Sequence, residues 1–586
     1  MKRLKCGVPK ALTVLVALGV IVSTNALAQG SVPSARIGVD REHEREPLPE
    51  YAPDEAPPRS SFELPPLEAL PRPATMDLSR GFVARGFRIV GSTVFSDAEL
   101  AAEVAPFLDQ EIRGETLPAI TDALTRLYVE AGYVSSGAIV PDQTIEEGVL
   151  EVRIVEGRVE DVEIVPSGRL EPRYVKARIR RSLEGPLRLS RLDEGLRLLQ
   201  LDPRIARVDA VITPSAELGE SRVRIAVEEA RPWTMEGRFA NDVSPSLGGQ
   251  RAMASLQHRN VSGWGDTLSG TVSGARGLFD VDLSYRIPFT PWLTEFELGG
   301  RFAEGEIVEG DFRDENFRNE TASYGLSLIQ PLWRSVEDDV RLAATLERRT
   351  SRLTFSDEDS PFLLEVNGLD GDEIHLLLLR LELEWVHRGL DQVFAARSRA
   401  TFGLNAWDAT TPNDTPIGSS TLPDGQFSSW LLQLQYARRV PTPLGEGEFV
   451  VRQDLQLASG SLFSLESFAM GGASTVRGYA EGSVVSDNGW IGSVEIRVPV
   501  LPTSLLPHDL RVAPFVDAGY AWDDHEPGRR RFDRFYASIG AGLIYRYGAR
   551  FELRVDYGRG LVRDFTPEGD PLQDQGIHVE ARLFVF

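Results

Sequence analysis

Phe551-Glu552-Leu553-Arg554-Val555-Asp556-Tyr557 sets four apolar residues on one side of an extended chain and three charged ones on the other. Side chains alternate along a strand with a period of two, so this heptapeptide predicts a strand with one oily and one ionic face. The pattern recurs. Trp490, Gly492, Val494, Ile496 and Val498 alternate with Ser493, Glu495 and Arg497, and Val340, Leu342, Ala344 and Leu346 alternate with Arg341, Thr345 and Glu347. Packed sheets need two apolar inner faces, and charge buried in such a core is costly. Charged faces on strand after strand suit a closed barrel with water inside and lipid outside. Sixteen candidate strands run from 233–240 to 577–585, an even number, as in bacterial barrels. Connections alternate between short, such as Tyr547 to Arg550, and long, such as Thr350 to Glu373 and Asn405 to Phe427. That predicts tight turns at one end of the barrel and long loops at the other.

The first residues point to export. Met1-Lys2-Arg3-Leu4-Lys5 is basic, Ala11 to Val22 is apolar, and Ala26-Leu27-Ala28 has the small-x-small form of a cleavage site. A signal peptide over 1–28 is expected, since the apolar run falls short of the ~20 residues of a helical span. Cys6, the sole cysteine, leaves with it, so the mature chain is expected to hold no disulfide and no Cys-ligated metal. Cleavage removes four basic residues and no acidic ones, taking the formal charge from −24 to −28. Such acidity argues against nucleic acid as a partner and suits long solvated loops.

Residues 29–80 are rich in proline, from Pro33 to Pro73, and predict an extended linker whose one helical candidate is Val39 to Arg45. Residues 83–157 form a small module. Phe87, Ile89 and Val94-Phe95 predict a strand around a turn at Gly91, and Ser96 or Asp97 caps a helix carrying Leu100, Val104 and Leu108. A second helix carries Leu117, Ile120, Leu124, Leu127 and Tyr128 and ends at Gly132; strands Ala138 to Val140 and Leu150 to Val155 follow. Residues 158–229 repeat the scheme: a strand Val159 to Val165, helices around Val175 and Leu192, and a hairpin over Val208 to Ile212 and Val223 to Val227. Between Arg169 and Arg207 there are eleven basic and five acidic residues, read either as a solvated surface or as a face for an acidic or polar partner.

One stretch stands apart. In Phe468-Ala-Met-Gly-Gly-Ala-Ser-Thr-Val-Arg-Gly-Tyr-Ala-Glu-Gly482, the tetrad Val476-Arg477-Gly478-Tyr479 lies between strands in a segment too rich in glycine to be one. A lone arginine between flexible stretches suits a loop that folds into a cavity and anchors by its charged tip. With the alternating strands around it and two α/β modules before it, the chain resembles the outer-membrane transporters of two-partner secretion. These are the TpsB, or haemolysin-activator, family within the POTRA-plus-barrel superfamily. Gly132-Tyr133, Pro141-x-Gln143, Gly148 and Glu156-Gly157 are similar to the punctuation of that family's first POTRA domain, and are read as turn and packing markers.

The resemblance implies an all-β, 16-stranded transmembrane antiparallel β-barrel over 233–586, preceded by two small α/β POTRA domains at 83–157 and 158–229. It implies a lumenal loop at about 459–489 with the tetrad at its tip, and a plug in the 29–80 region in some members. An inward aspartate in Phe515-Val516-Asp517-Ala518-Gly519, at the end of a strand two beyond the loop, is implied to pair with Arg477. The alternative is that both residues only make the lumen polar. The implied function is capture of a large unfolded partner exoprotein in the periplasm, through POTRA strand edges, and export through the barrel without ATP. A haemolysin or an adhesin fits equally. The implied setting is the bacterial outer membrane, with periplasmic POTRA domains and extracellular loops. Membrane lipid and, during biogenesis, the barrel assembly machinery are further partners. An assembly insertase, which usually carries three or more POTRA modules, and a diffusion porin, which needs no soluble receptor, are the other readings.

No chemistry is expected. The seven histidines are scattered, with no His-Glu-x-x-His, Gly-x-Ser-x-Gly or phosphate loop. Asp357-Glu358-Asp359 and Asp370-Gly371-Asp372-Glu373 match no calcium-loop spacing and are read as loop acidity. The chain predicts no enzyme activity, cofactor or metal.

Overall fold

The computed structural model describes residues 48, 49, 51, 61–63 and 81–585, less 216, 291, 311–312, 314–316, 355–372, 411–422, 424, 503–506, 524–531 and 564–571. The expected signal peptide, the helical candidate Val39 to Arg45 and most of both acidic loop runs lie outside the described residues.

A short strand, β1 (Ser61–Glu63), precedes a first α/β unit. That unit orders β2 (Phe82–Val83), β3 (Gly86–Val90), α1 (Asp97–Val104), β4 (Glu111–Ile112), α2 (Leu117–Glu130), β5 (Gly137–Ile139) and β6 (Val149–Val155). β6 lies between β3, parallel to it, and β5, antiparallel. Leu100, Ile120, Leu124 and Tyr128 from the helices bury against Leu150 and Val152. Ser96 and Glu99 cap α1 reciprocally. Two expectations fail here. Pro106 lacks the N–H that would continue α1, so a single 3-10 turn follows and leaves Leu108 exposed. Val94-Phe95 lies in the turn after Gly91 and not in a strand, where the Val94 N–H donates to Glu156 Oε1 at 2.9 Å. The marker residues are structural in kind. Gly132 ends α2 at φ +90°, Tyr133 packs edge-on to Tyr128, and Gly148 sits at φ +78° against Val83. The Gln143 side chain bonds both backbone groups of Glu151 at 2.7 Å, and the Gly157 N–H donates to Ser136 Oγ.

The second unit comprises β7 (Arg158–Ser167), α3 (Pro172–Ile179), α4 (Leu189–Gln200), β8 (Ile205–Pro214) and β9 (Glu220–Glu229). Its sheet runs β1-β8-β9-β7. β1, which the proline-rich composition does not foretell, lies parallel to β8 and covers its edge.

A closed antiparallel barrel of sixteen strands follows. Its first strands are β10 (Trp233–Ala240), β11 (Arg251–Arg259), β12 (Thr267–Ala275), β13 (Leu278–Pro288), β14 (Glu295–Glu306) and β15 (Arg318–Arg334). Next come β16 (Asp338–Thr354), β17 (Glu373–Arg388), β18 (Gln392–Gly403), β19 (Ser428–Thr442) and β20 (Gly445–Ala458). A lumenal hairpin, β21 (Phe468–Met470) and β22 (Val484–Ser486), interrupts the wall before β23 (Asn488–Pro499). β24 (His508–Asp523), β25 (Phe532–Tyr547), β26 (Phe551–Gly560) and β27 (Ile577–Phe584) complete it, with β27 pairing back to β10. Leu283, Leu298, Leu326, Val516 and Ile539 point outward and exposed. Inward, charges pair between adjacent strands in Arg301–Asp280 and Arg399–Glu382, and across one intervening strand in Arg511–Glu448. The alternation of short and long connections is not strict: on the long-loop side, β12 and β13 are joined by Arg276-Gly277 alone, and on the short-turn side 500–507 is as long as 524–531 on the other. At the short-turn end, Tyr51 from the proline-rich linker lies inside the lumen. Its hydroxyl donates to Glu384 at 3.2 Å, and its carbonyl accepts from Gln435 at 2.8 Å.

Candidate functional site

Between β20 and β23 the chain turns into the lumen, and the glycines of the quoted stretch make this possible. Gly471, Gly472, Gly478 and Gly482 all adopt positive φ, a region that costs residues with a Cβ. The tip is tied to itself by the Gly471 N–H, which donates to Thr475 Oγ1 at 3.0 Å. It is tied to the wall by Arg477, which is 5% exposed.

Arg477 grips Asp517 three times: Nε to Oδ2 at 2.8 Å, Nη2 to Oδ1 at 2.9 Å, and its backbone N–H to Oδ2 at 3.1 Å. Such a two-pronged guanidinium–carboxylate bond is directional as well as strong. Nη1 donates to Glu495 at 2.5 Å, Nη2 to Ser493 Oγ at 3.2 Å, and the guanidinium lies 3.4 Å over the Phe515 ring. Asp517 is fully buried within β24, six residues from its final residue and not at its end as expected. Glu495 in turn accepts from Arg497 at 2.6 Å and Arg554 at 2.5 Å, and Arg554 meets Asp556 at 2.7 Å. Three arginines thus face three carboxylates around the tip, and Arg497 carries the network on to Glu448 at 3.4 Å. The other tetrad members also seat. Tyr479 stacks on Tyr536 at 4.0 Å, and its hydroxyl donates to the Ala537 carbonyl at 2.8 Å. Val476 is buried, and a Cβ at Gly519 would lie 3.0 Å from its Cγ2, so glycine there makes room for the tip.

Sequence reasoning missed the depth of this pocket. Ser493 and Glu495 were legible as inward residues, but only the register pairing Ser493 with Asp517 brings them to Arg477. Gly558 and Gly560 continue the inward parity of Arg554 and Asp556. A Cβ on Gly558 would stand 2.7 Å from the Arg477 carbonyl carbon and the Gly478 nitrogen. Small residues at inward positions were the available signal of a close approach.

The second α/β unit is seated on the barrel. The turn after β11 lays Gly265 on the Tyr174 ring and Trp264 under Arg173, and the Glu171 N–H donates to the Gly263 carbonyl at 2.8 Å. Asp202 accepts from Tyr174 Oη at 2.6 Å, and from Arg178 at 3.1 Å and Arg204 at 3.4 Å; Arg204 reaches on to Thr267 at 3.0 Å. Part of the basic cluster between Arg169 and Arg207 therefore faces the barrel and neither solvent nor a partner. Burial pushes the Asp202 carboxyl up, but the Arg178 and Arg204 guanidiniums outweigh it and hold it below the usual range. A depressed carboxylate contributes stability above its unfolded value of about 3.9, and this is lost as pH falls through the folded value. Protease resistance of the second unit in the detergent-solubilised protein should hold from neutral pH down to about 4 and weaken progressively below it. Asp202→Ala should weaken it at neutral pH by roughly 3–5 kcal/mol, since two guanidiniums lose their counterion.

Residues 219–545, over half of the chain, match the family described as haemolysin secretion/activation protein ShlB/FhaC/HecB, and residues 82–157 match the ShlB-type POTRA domain. The outer membrane transporter CdiB of Escherichia coli is 24% identical over 435 residues, 72% of this chain and 70% of the relative. The hemolysin transporter protein ShlB of Serratia marcescens is 25% identical over 510 residues, 83% and 84% of the two chains. Among solved structures, CdiB from Escherichia coli superimposes with a TM-score of 0.61 at 20% identity, covering 89% of this chain and 94% of that one. BamA from Haemophilus ducreyi, lacking its POTRA domains 1–3, gives 0.52 at 14% identity, covering 86% of this chain and all of that one.

Proposed function

The chain belongs to the ShlB/FhaC/HecB family of haemolysin secretion/activation proteins, outer-membrane β-barrel transporters with periplasmic POTRA domains, and from that premise we propose how it handles its exoprotein. The two α/β units are the receptor, the barrel is the conduit, and the 459–489 loop, held through Arg477, Asp517 and Glu495, is the element that must be seated for export to begin and must then yield. The observation that carries this reading is the arginine of a glycine-rich loop held in an ion-pair cluster on the inner wall. No step in it needs a catalytic residue or a cofactor. In this reading the two α/β units span 83–157 and 158–229, and the barrel runs from 233. The exposed outer belt contacts membrane lipid, and insertion there draws on the barrel assembly machinery. Assembly insertase and diffusion porin are set aside by the family's transport role.

Capture is by strand addition. The edge of β8 accepts a parallel strand, since β1 occupies it through Ser61–Glu63 beside Asp209–Val211. An unfolded client offers free backbone donors and acceptors for the same edge. The soluble fragment 83–229 should therefore bind the unfolded N-terminal region of the client, weakly, and more tightly than a fragment that also carries residues 61–63. Titration by fluorescence anisotropy checks this. Equal affinity of the two fragments would move capture away from β8, and no binding by either would remove the receptor role.

A further inference from the structure

The tip is not the loop's sole hold on the barrel. The loop leaves β20 through a 3-10 turn, Ser464–Glu466, and there Glu466 is buried against the wall. Its carboxylate takes Arg380 Nη2 on Oε1 at 2.6 Å, Arg380 Nη1 on Oε2 at 3.0 Å, and Arg349 Nη1 on Oε1 at 3.2 Å. Arg349 also donates to the Leu465 carbonyl at 3.1 Å. Glu347 lies between the two guanidiniums, 3.1 Å from one and 2.9 Å from the other. Two arginines thus face two carboxylates, and withdrawing Glu466 leaves the wall with an unbalanced positive charge in a confined space. Beside this cluster Leu462, Phe463 and Leu465 of the loop pack on Leu376 and Leu378 of β17.

The placement of the two holds matters more than their number. Arg349 stands on β16 and Arg380 on β17, whereas the tip is held by β23, β24 and β26. In barrel order these groups lie on opposite sides of β20, from which the loop springs. The root is held one way around the wall and the tip the other, and the segment between them lies against β23 and β24, with Phe468 over Gly489 and Met470 over Gly519. Freeing Arg477 alone leaves the root, with its apolar packing, where it was.

We propose that Glu466, clamped by Arg349 and Arg380, is a second anchor that positions the lumenal loop, and that the conduit clears only when both anchors let go. This rests on the reading of the loop as the element that yields during export, and its test needs no client. Purified full-length protein in planar lipid bilayers reports clearance as ionic current. Arg477→Ala and Glu466→Gln should each raise the time spent in large-conductance states modestly, and together by at least about tenfold over either alone. Glu466→Asp keeps the charge and should stay near the wild type, a rescue that a merely structural role would not give. Arg380→Gln, made from the wall side, should reproduce Glu466→Gln and guards against a root variant that fails to assemble. A double variant no more conductive than Arg477→Ala, in barrels that keep compact mobility on cold SDS gels, would overturn the second anchor. Raised current with unchanged client secretion would leave the anchor standing and refute the loop's part in export.

Discussion

Arg477→Ala is expected to abolish client secretion almost completely, with the barrel assembled at normal levels. The outward belt and the strand pairing involve none of its atoms, so assembly has no reason to fail. Seating does fail. Removing one partner of a buried ion pair costs about 3–5 kcal/mol, which shifts the balance between seated and free tip by roughly two to four powers of ten. Asp517→Ala should act in the same direction but less, because Glu495 still holds Nη1 at 2.5 Å. The variant carrying both changes should be no worse than Arg477→Ala, since the shared interaction can be lost once. Secreted client at matched outer-membrane levels measures this, and losses that simply multiply would show that the two residues act independently. The charge swap, Arg477→Asp with Asp517→Arg, should recover little. An aspartate at 477 would face Glu495 and Asp556, which lie 2.5 and 3.7 Å from the arginine it replaces.

Gly558→Val should give nearly as large a loss without touching any charge. Its side chain would have to occupy the space where the backbone of Arg477 and Gly478 lies, within 2.7 Å of a bare Cβ. Valine suits a strand, so β26 should form, and the tip should be the part that gives way. Trypsin supplies the readout, because an unseated Arg477 becomes a cleavable arginine in a flexible loop. Cleavage after Arg477 is expected in Gly558→Val and not in the native protein. A variant that secretes normally and stays uncut would mean that the loop does not need this close approach. Gly478→Ala combines the same obstacle, 2.8 Å from Gly558, with a φ of +92° that disfavours any Cβ.

The alternation that begins at Phe551 was enough for the barrel, because period two directly reports which face meets lipid. Alternation alone did not pair Arg477 with Asp517, a pairing that only the resemblance implied. It could not supply register, and register decides that Ser493 lies across from Asp517 and that Glu495 completes the pocket. Nor could it bring Glu466 to Arg380, 86 residues earlier, since contacts across a lumen leave no periodic trace. The helices of the small units were legible from their apolar spacing, but Leu108 was not placed correctly, because Pro106 outweighs a well-spaced leucine. β1 was invisible for a different reason. Its hydrogen bonds come from an edge that composition does not show.

The paired charges along the inner wall bear on a question of discrimination. Arg301 with Asp280, Arg399 with Glu382 and Arg511 with Glu448 cancel one another pair by pair. A passing polypeptide, acidic or basic, therefore meets neither sign in excess at these positions. Such a corridor is indifferent to what travels through it. Cargo identity has to be read before entry, and a foreign sequence joined behind the proper leading segment should travel as readily as the native one.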